Sequence, residues 1–562
     1  MTLKINIILN ITKTYVLLLV FTIGFSLGVL SQSFTLKLSS GKALENSFLS
    51  NIDFKKKHKN AASVALELNS IQKLIKSNGY LLSALDSLIL KQKKYVAFFT
   101  LNEKIDSVVL KNKNLPKSIL KKFNNKTNYL QIPIKEVAPT LEEISKNYEN
   151  SGHSFSKIKL KNFTIKNKIL FAEIDVTFSK KRKINKLIIK GYPNFPNSFI
   201  KNFFQIDRES IFNKKKLNEI SKLSQNLDFV SEIKPPEILF TKDSTYVYVY
   251  LKKNKENSFD GLVNFSTQEN GKIQFNGYLD LKLKNTLNTG ESLNILWNHF
   301  GNEKQELSIA LQTPYILNSK LSPEINFSIY KQDSTFLNTK FNAKLQYQIK
   351  SNASLFLSLS SENSEKLTNK STANIETFHN SFLGFGYQYK TLQTDRFRNP
   401  TFFLNINPSF GKRKSNNSAF DQLKLESIVS SLVNLDNRNS IYLKNKTGLL
   451  NSDSYIENEL FRIGGNNSLR GFNEQSVFVK NYLIQSIEYR YLTSVNSFLY
   501  SITDFALVST TNSNEKLLGL GIGYLFNTKN AQINISTAIG TNTKTAINFK
   551  NPLFFINWIN FF

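Results

Sequence analysis

The chain of 562 residues contains no cysteine, which excludes both disulfide bonds and thiolate metal sites. Histidine is nearly as scarce: His58, His153, His299 and His379 are scattered, and no serine lies in a nucleophile-elbow pattern. A glycine-rich loop with a phosphate-binding lysine is also missing. These absences argue against an enzyme and against nucleotide-driven work, and we expect no metal and no organic cofactor.

Long apolar runs are missing after residue 31. Before that point, Lys4 and Lys13 precede an apolar stretch at 15–25, and small residues follow close to Ser31. This order predicts a secretory signal peptide at residues 1–31. An uncleaved anchor helix is the alternative, because the apolar stretch approaches spanning length. An exported chain without a later spanning helix is either soluble outside the cytoplasm or crosses a membrane as a barrel.

Acidic residues are few: the chain has 42 Asp and Glu against 73 Lys and Arg, which gives a net charge of +31. Residues 1–255 carry 44 Lys and Arg against 19 Asp and Glu, so this segment accounts for +25 of the net charge of +31. No stacking platform or nucleic-acid motif accompanies the charge, and we therefore expect no nucleic-acid partner. Anionic lipid surfaces or acidic partners fit an exported chain better.

The N-terminal part of the chain is predicted to contain three consecutive α+β repeats. Strand-like and helix-like periodicities recur in the order β-α-α-β-β at 34–103, 104–180 and 183–254. Each repeat is long enough to pack two helices on a three-stranded sheet. The exposed edge of such a sheet can accept a strand from a client chain. The alternative is a set of rigid spacers whose edges are blunted by lysines.

Helical periodicity ends near residue 257, and strict alternation of apolar and polar residues continues to residue 562. Leu293, Ile295 and Trp297, for example, alternate with Asn294 and Asn298. One apolar and one polar face per strand, over this length, predicts a transmembrane antiparallel β-barrel of about 16 strands. A soluble β-sandwich or propeller is the alternative.

The end of the chain is an aromatic strand that we expect to close the barrel. Four apolar residues share one face of this strand: Phe554, Ile556, Trp558 and Phe562. Its partner is predicted to be the first barrel strand, near 259–267. Asn557 and Asn560 weaken the packing of the last strand, which suits a seam that opens.

The stretch 461–472 interrupts the strand pattern and is predicted to be a structured loop that inserts into another part of the protein. Gly464 and Gly465 supply backbone freedom that other residues lack. Arg470 is followed by Gly471, which allows a neighbouring group to come close.

The same loop carries a family resemblance. Gly464-Gly465 through Ser468-Leu469-Arg470-Gly471-Phe472 resembles the signature loop of the BamA/TamA superfamily of outer-membrane assembly and translocation barrels. In that family, also known as bacterial surface antigen barrels with polypeptide-transport-associated (POTRA) repeats, an Arg-Gly-aromatic tip folds back into the barrel. Residues 486–491 resemble the strand that follows the loop, and 518–524 resemble a glycine-rich strand. Residues 502–506 resemble a Phe-x-Asp-x-Gly strand, with Ile502 and Ala506 in place of Phe and Gly.

The resemblance implies that Arg470 binds Asp504 inside the barrel. Spacing offers Glu488 as another partner, because it lies on the polar face of its strand. Three glycines, Gly519, Gly521 and Gly523, share one face of their strand and predict an interior groove for the loop. An ordinary solvated arginine at position 470 is the remaining alternative. We call residues 464–472 the latch.

The family resemblance implies a bacterial outer-membrane protein with its repeats in the periplasm. It would be a factor for protein assembly, insertion or translocation, whose repeats capture unfolded outer-membrane or secreted clients by strand addition. The barrel seam would then insert or pass these clients. Outer-membrane lipids and periplasmic accessory subunits are further expected partners. The alternatives are a dedicated secretion pore for one partner protein and a passive structural or adhesive barrel.

Overall fold

The computed structural model describes residues 33–111, 115, 117–122, 129–207, 209–267, 273–300, 304–368, 374–397, 399–415, 418–542 and 552–562. The predicted signal peptide at 1–31 lies outside the described residues. The chain divides into two compact units, one that ends at Lys181 and one that begins at Arg182. Within the described ranges, no helix is both long and apolar enough to cross a membrane.

The first repeat is a four-stranded sheet covered by helices. Its elements are β1 (Phe34–Ser39), α1 (Ala43–Ser50), β2 (Lys57–His58), α2 (Ala61–Ser77), β3 (Ala84–Lys91) and β4 (Lys94–Thr100). The strand order is β2-β1-β4-β3, with β1 and β4 parallel. Asn60 caps the N-terminus of helix α2, and its Oδ1 accepts a hydrogen bond from the Ser63 amide at 2.9 Å. Its buried residues recur at helical spacing: Val64, Leu68, Ile71 and Ile75.

The second repeat has the same plan. Its elements are β5 (Ser107–Lys111), α3 (Lys117–Lys122), β6 (Tyr129–Pro133), α4 (Val137–Asn150), β7 (Lys157–Lys166) and β8 (Ile169–Thr177), with the strand order β6-β5-β8-β7. The prediction of three-stranded sheets is wrong for these two repeats, because β2 and β6 each add a short strand. In β6, Leu130 and Ile132 are buried and alternate with exposed residues, which is the period-two pattern of a strand.

The third repeat keeps the predicted three-stranded sheet. Its elements are β9 (Lys186–Lys190), α5 (Asn197–Asn202), α6 (Lys214–Gln225), β10 (Val230–Phe240) and β11 (Thr245–Lys253), with the strand order β10-β11-β9. Phenylalanine dominates its core: Phe195, Phe199, Phe203, Phe204, Phe212 and Phe229 are all buried. Such large side chains supply much apolar area to a small domain.

The rest of the chain forms a closed antiparallel barrel of 16 strands. Its strands are β12 (Ser258–Thr267), β13 (Ile273–Lys284), β14 (Ser292–Phe300), β15 (Lys304–Gln312), β16 (Leu321–Gln332), β17 (Phe336–Lys350), β18 (Ala353–Lys366), β19 (Phe378–Lys390), β20 (Phe402–Ser415), β21 (Ser418–Asn434) and β22 (Asn439–Ser452), then, after a hairpin of β23 (Phe461–Ile463) and β24 (Val477–Val479), β25 (Asn481–Ser494), β26 (Ser497–Ser509), β27 (Asn514–Asn527), β28 (Ala531–Asn542) and β29 (Leu553–Phe561).

Alternation decides which side of the barrel wall each residue faces. In β25, Ile487 and Tyr489 are 42% and 48% exposed on the outside, whereas Glu488 between them is 7% exposed on the inside. An apolar exterior and a polar interior are what a barrel in lipid requires. The predicted fold class, α+β repeats followed by a 16-stranded antiparallel barrel, is confirmed.

The third repeat packs on turns at one end of the barrel, which we call the proximal end; the opposite end is the distal end. Two of these turns are those between β13 and β14 and between β15 and β16. The Tyr192 hydroxyl donates to Asn288 Oδ1 at 2.6 Å and accepts from Asn285 Nδ2 at 2.8 Å. The Phe199 ring lies edge-on to Tyr315, with 4.9 Å between centroids. Tyr315 is thereby part of the core of the repeat.

The first of these turns also holds a charged carboxylate. Burial acts to raise the pKa of Glu291, but the Thr289 hydroxyl and the backbone N–H groups of Leu287 and Thr289 donate to it and hold the pKa below its usual value. The Glu291 carboxylate therefore stays ionised at neutral pH and accepts these three hydrogen bonds.

Gly290 sets how closely the third repeat approaches the barrel. Its φ is +82°, and a Cβ atom there would lie 2.3 Å from the Phe199 ring. We expect Gly290→Ala to destabilise this contact by about 1–3 kcal/mol, through both backbone strain and overlap. Limited proteolysis of the repeat should become several-fold faster. Gly41→Ala is the control, since a Cβ there meets no atom within 4 Å; equal cleavage of the two variants would contradict the expectation.

Candidate functional site

The loop between β22 and β25 turns back into the barrel from the distal end. Three glycines of the latch have left-handed φ values: 115° at Gly464, 93° at Gly465 and 90° at Gly471. Residues with a Cβ rarely adopt these angles. The Gly465 amide donates to the Phe472 carbonyl at 2.9 Å, and the Gly464 amide donates to Ser468 Oγ at 2.8 Å. The latch is therefore a compact, internally bonded turn.

Arg470 is the centre of the site and is bound to two carboxylates. Its Nε and Nη2 donate to Asp504 Oδ2 and Oδ1 at 2.8 and 2.6 Å, and its backbone amide donates to Asp504 Oδ2 at 3.0 Å. Nη1 donates to Glu488 Oε1 at 2.5 Å. Asp504 is fully buried, and Arg470 and Glu488 are each 7% exposed. The structure thus places both candidate acids on the same guanidinium, in a fork geometry that only arginine offers.

A second arginine balances the charge of this cluster. Arg490, two residues after Glu488 on β25, donates from Nε and Nη2 to Glu488 Oε2 at 2.9 and 2.7 Å. Its guanidinium lies 4.0 Å from the centre of the Tyr442 ring. Two guanidinium groups therefore face two carboxylates, which limits the cost of burying these charges. We call Arg470, Glu488, Arg490 and Asp504 the charge cluster.

Apolar packing holds the tip of the latch against the wall. Leu469 is fully buried in a cluster with Ile463, Val479, Ile484, Ala506, Val508 and Leu517, and Phe472 packs against this cluster. The burial of one leucine side chain contributes about 1.5–3 kcal/mol. The latch is thus fixed by packing as well as by charge.

Two glycines of the wall leave room for the latch backbone. A Cβ on Gly519 would lie 2.0 Å from the Arg470 carbonyl oxygen, and one on Gly540 would lie 2.4 Å from the Gly471 carbonyl oxygen. Gly521 and Gly523 are covered by other groups, namely the Thr537 carbonyl and the Tyr500 ring. Of the three glycines predicted for the groove, the latch therefore lies against Gly519. Sequence reasoning missed Gly540, which stands opposite Gly519 in the ladder between β27 and β28.

A second buried ion pair holds the beginning of the same loop, and the sequence did not reveal it. Arg413 on β20 is 1% exposed, and its Nη1 donates to Glu459 Oε1 and to the Ser454 carbonyl, the latter at 3.1 Å. Gln422 Nε2 donates to Glu459 Oε2 at 2.9 Å. Arg413 stands between Lys412 and Lys414, so it looks like part of a solvated charged strand end.

The loop also reaches the opposite wall of the barrel. Lys304 Nζ donates to the Glu474 carbonyl at 3.0 Å, and Gln475 Nε2 donates to Glu306 Oε2 at 3.0 Å. The Arg462 guanidinium lies 3.7 Å from the Tyr330 ring centre. The loop therefore crosses the interior from β25 and β26 to β15 and β16. Among the described residues, no group of three or more His, Asp or Glu is placed to hold a metal ion.

The seam between the first and last strands is paired over a short length. On one side, β29 pairs with β28 from Asn560 to Leu553. On the other side, the described ladder with β12 contains two residue pairs, Ser258 with Phe561 and Phe259 with Asn560. The Phe562 amide adds one bond to the Asn257 carbonyl at 2.9 Å. The pairs between β12 and β29 therefore lie at the proximal end.

The four seam residues predicted from the sequence lie on the outer face of the barrel. Phe554, Ile556, Trp558 and Phe562 are each more than half exposed. Asn557 points to the other face, and Asn560 accepts a hydrogen bond from Trp558 Nε1 at 3.0 Å. The outer surface beside the seam is therefore apolar from Phe554 to Trp558, and Asn560 adds one polar group near the proximal end.

Comparison with known proteins gives a likeness in structure. No protein-family model and no curated protein matches the sequence. CdiB from Acinetobacter baumannii is 14% identical with a TM-score of 0.52, over 88% of this chain and 96% of that one. CdiB from Escherichia coli is 12% identical with a TM-score of 0.51, over 88% and 95%. BamA from Haemophilus ducreyi lacking POTRA domains 1–3 is 14% identical with a TM-score of 0.47, over 81% and 99%. The two CdiB likenesses show the fold.

Removal of the central guanidinium should destabilise the barrel strongly. Arg470→Ala leaves Asp504 and Glu488 buried without their shared partner, which we expect to cost about 3–5 kcal/mol of unfolding free energy. Arg470→Lys keeps the charge but loses the fork, so its effect should be intermediate. Thermal unfolding of the purified protein in detergent measures both. Arg438→Ala, at an exposed turn, is the control, and an Arg470→Ala protein as stable as this control would show that the latch is not anchored by charge.

Proposed function

We propose that this chain, which has the fold of the BamA/TamA superfamily, acts in a bacterial outer membrane as a factor that inserts or passes polypeptide chains. The repeats would lie in the periplasm, and the proximal end of the barrel, on which the third repeat packs, would be its periplasmic end. Unfolded outer-membrane or secreted proteins would be the clients. The seam between β12 and β29 is the observation that supports this proposal most directly.

An incompletely paired seam is costly in lipid and useful to a client. From Leu553 to Ile559, the backbone of β29 has no described ladder partner on β12. Unpaired backbone groups in a bilayer core each cost several kcal/mol, and water cannot satisfy them there. A client strand that pairs with either edge would remove this cost, so the seam favours strand addition. The apolar outer face of β29 would keep the growing sheet in contact with lipid.

The repeats offer further edges to a client. One edge strand of each sheet, β3, β7 or β10, follows the helices in the chain and lies at the end of the strand order. Each is interrupted by a bulge, between Leu85 and Ser87, between Lys161 and Thr164, and on both sides of Lys234. Bulges limit edge-to-edge pairing to short stretches. We therefore propose weak, sequence-tolerant binding of short client segments, assisted by the lysine-rich surface.

Passage through the interior is the second candidate, and one observation favours it. A cavity of about 380 Å³ inside the barrel is lined by polar and charged groups, among them Glu324, Lys340, Lys344, Lys424 and Glu426. A polar interior suits a chain in transit through a dedicated secretion pore. The latch and the rest of its loop would have to move for a chain to pass.

A disulfide across the seam tests the proposal. The chain has no cysteine, and Phe259 and Asn560 are directly paired, so Phe259→Cys with Asn560→Cys places the thiols within bonding range. We expect oxidation to abolish function in cells depleted of the natural protein, and reduction to restore it. The control is Ile533→Cys with Trp558→Cys, a cross-link within the complete ladder between β28 and β29.

The readout is a census of outer-membrane and exported proteins. Broad loss of outer-membrane proteins on oxidation of the seam pair, with none in the control, supports an assembly factor that works through its seam. Loss of a single exported protein supports the secretion pore. An unchanged census after depletion would contradict both and leave a passive barrel.

A further inference from the structure

The turn between β19 and β20 enters the barrel at the proximal end. Residues 391–401 join the two strands, and we call 391–397 the bridge turn. The Phe397 ring lies edge-on to Phe498, with 4.7 Å between ring centroids. Phe498 is 4% exposed and forms a cluster with Tyr500, Ile502 and Ala538 on the inner wall. The tip of the bridge turn is therefore part of the interior packing of β26 and its neighbours.

The other end of the bridge turn is attached to the third repeat. Asn226, the residue that caps the C-terminus of helix α6, donates from Nδ2 to the Leu392 carbonyl at 2.5 Å. The Leu392 side chain packs against the core of that repeat. One short segment thus touches the repeat at one end and the inner barrel wall at the other.

Internal hydrogen bonds make the bridge turn stiff. Asp395 Oδ1 accepts from the amides of Phe397 and Asn399, each at 2.8 Å, and the Asp395 amide donates to the Asn399 carbonyl at 2.8 Å. The Thr401 amide donates to the Gln393 carbonyl at 2.9 Å. A segment bonded in this way moves as one body, so a displacement at Leu392 is carried to Phe397.

The tip of the bridge turn faces the charge cluster. Asp395 Oδ2 lies 4.0 Å from Arg490 Nη1, and the Arg490 guanidinium lies 5.0 Å from the Phe498 ring centre. Arg490 in turn binds Glu488, which binds Arg470 of the latch. Asp395 and Phe397 therefore support the Arg490 side chain. Arg490 in turn orients Glu488, one of the two carboxylates that bind Arg470.

We propose that the bridge turn couples the position of the third repeat to the strength with which the charge cluster holds the latch against the barrel wall. When the repeat is displaced from the proximal end, Leu392 moves with it and draws Phe397 and Asp395 away from Phe498 and Arg490. Arg490 then no longer holds Glu488 in place, and the latch leaves the wall more often. Docking of the repeat and seating of the latch stabilise each other, as linkage requires. This coupling is a property of the folded chain and needs no client.

A single-cysteine reporter measures the seating of the latch. Leu469 is fully buried, so Leu469→Cys reacts with a maleimide only when the latch leaves the wall. The experiment uses the full chain in detergent, well below its unfolding temperature, with Leu392→Ala and Phe397→Ala introduced separately and together. Ala353→Cys, a buried wall position on β18, reports general loosening of the barrel.

We expect each substitution to speed labelling at position 469 by about fivefold or more, and to leave labelling at position 353 unchanged. The double variant should label no faster than Phe397→Ala alone, because loss of Phe397 already breaks the connection that Leu392→Ala acts through. The coupling would be overturned if the fold-increases of the two single variants multiply in the double variant. It would also be overturned if neither single variant changes the labelling rate at position 469. So would a parallel rise at position 353.

A matched pair of turn variants tests the link to Arg490 alone. Asp436 organises the β21–β22 turn in the way that Asp395 organises the bridge turn, by accepting from two backbone amides and one asparagine side chain. Its hydrogen bonds within the described residues stay inside its own turn. Asp395→Asn should speed labelling at position 469 and Asp436→Asn should not. Equal rates in the two variants would overturn the role of Asp395.

Discussion

The burial of the Arg470 guanidinium beside Asp504 and Glu488 is the interaction on which the interior of this barrel depends. A buried charge without a partner is strongly destabilising, so the three side chains must arrive together. The burial of these three side chains also constrains the residues around them. Gly519 and Gly540 must lack side chains because the latch backbone lies directly on them, and Arg490 must neutralise the second carboxylate. A loop that enters from the distal end is thereby held to a particular place on the wall.

The barrel is strongest where the latch lies and weakest at its seam. Strands β25 to β28 are paired along most of their length, and the latch packs across β25 to β28 from inside. The adjoining strand β29 is fully paired on one side and barely paired on the other. A wall reinforced in this way can hold its shape while the neighbouring strand β29 separates from β12. The third repeat and the bridge turn lie at the proximal end, where the seam is still closed.

Sequence reasoning predicted much of this fold because period-two alternation is a strong signal over many strands. Glu488 between Ile487 and Tyr489 is a clear case, since its inward position follows from its neighbours. Features that depend on residues far apart in the sequence could not be predicted. Gly540 matters only because the ladder register sets it opposite Gly519, and Arg413 is buried only because Glu459 returns from a loop 46 residues later. The inward path of Phe397 depends likewise on a pocket beside Phe498.

The central claim is that clients meet the barrel at its seam, and a photo-crosslinker tests it most directly. Phe259 on β12, Phe554 on β29 and Phe341 on β17 all point outward and are exposed, so a photoreactive phenylalanine analogue replaces each with little change. The account predicts that client polypeptides in living cells are captured from positions 259 and 554 and not from position 341. Equal capture at all three positions, or none at the seam while clients are being assembled, would contradict it.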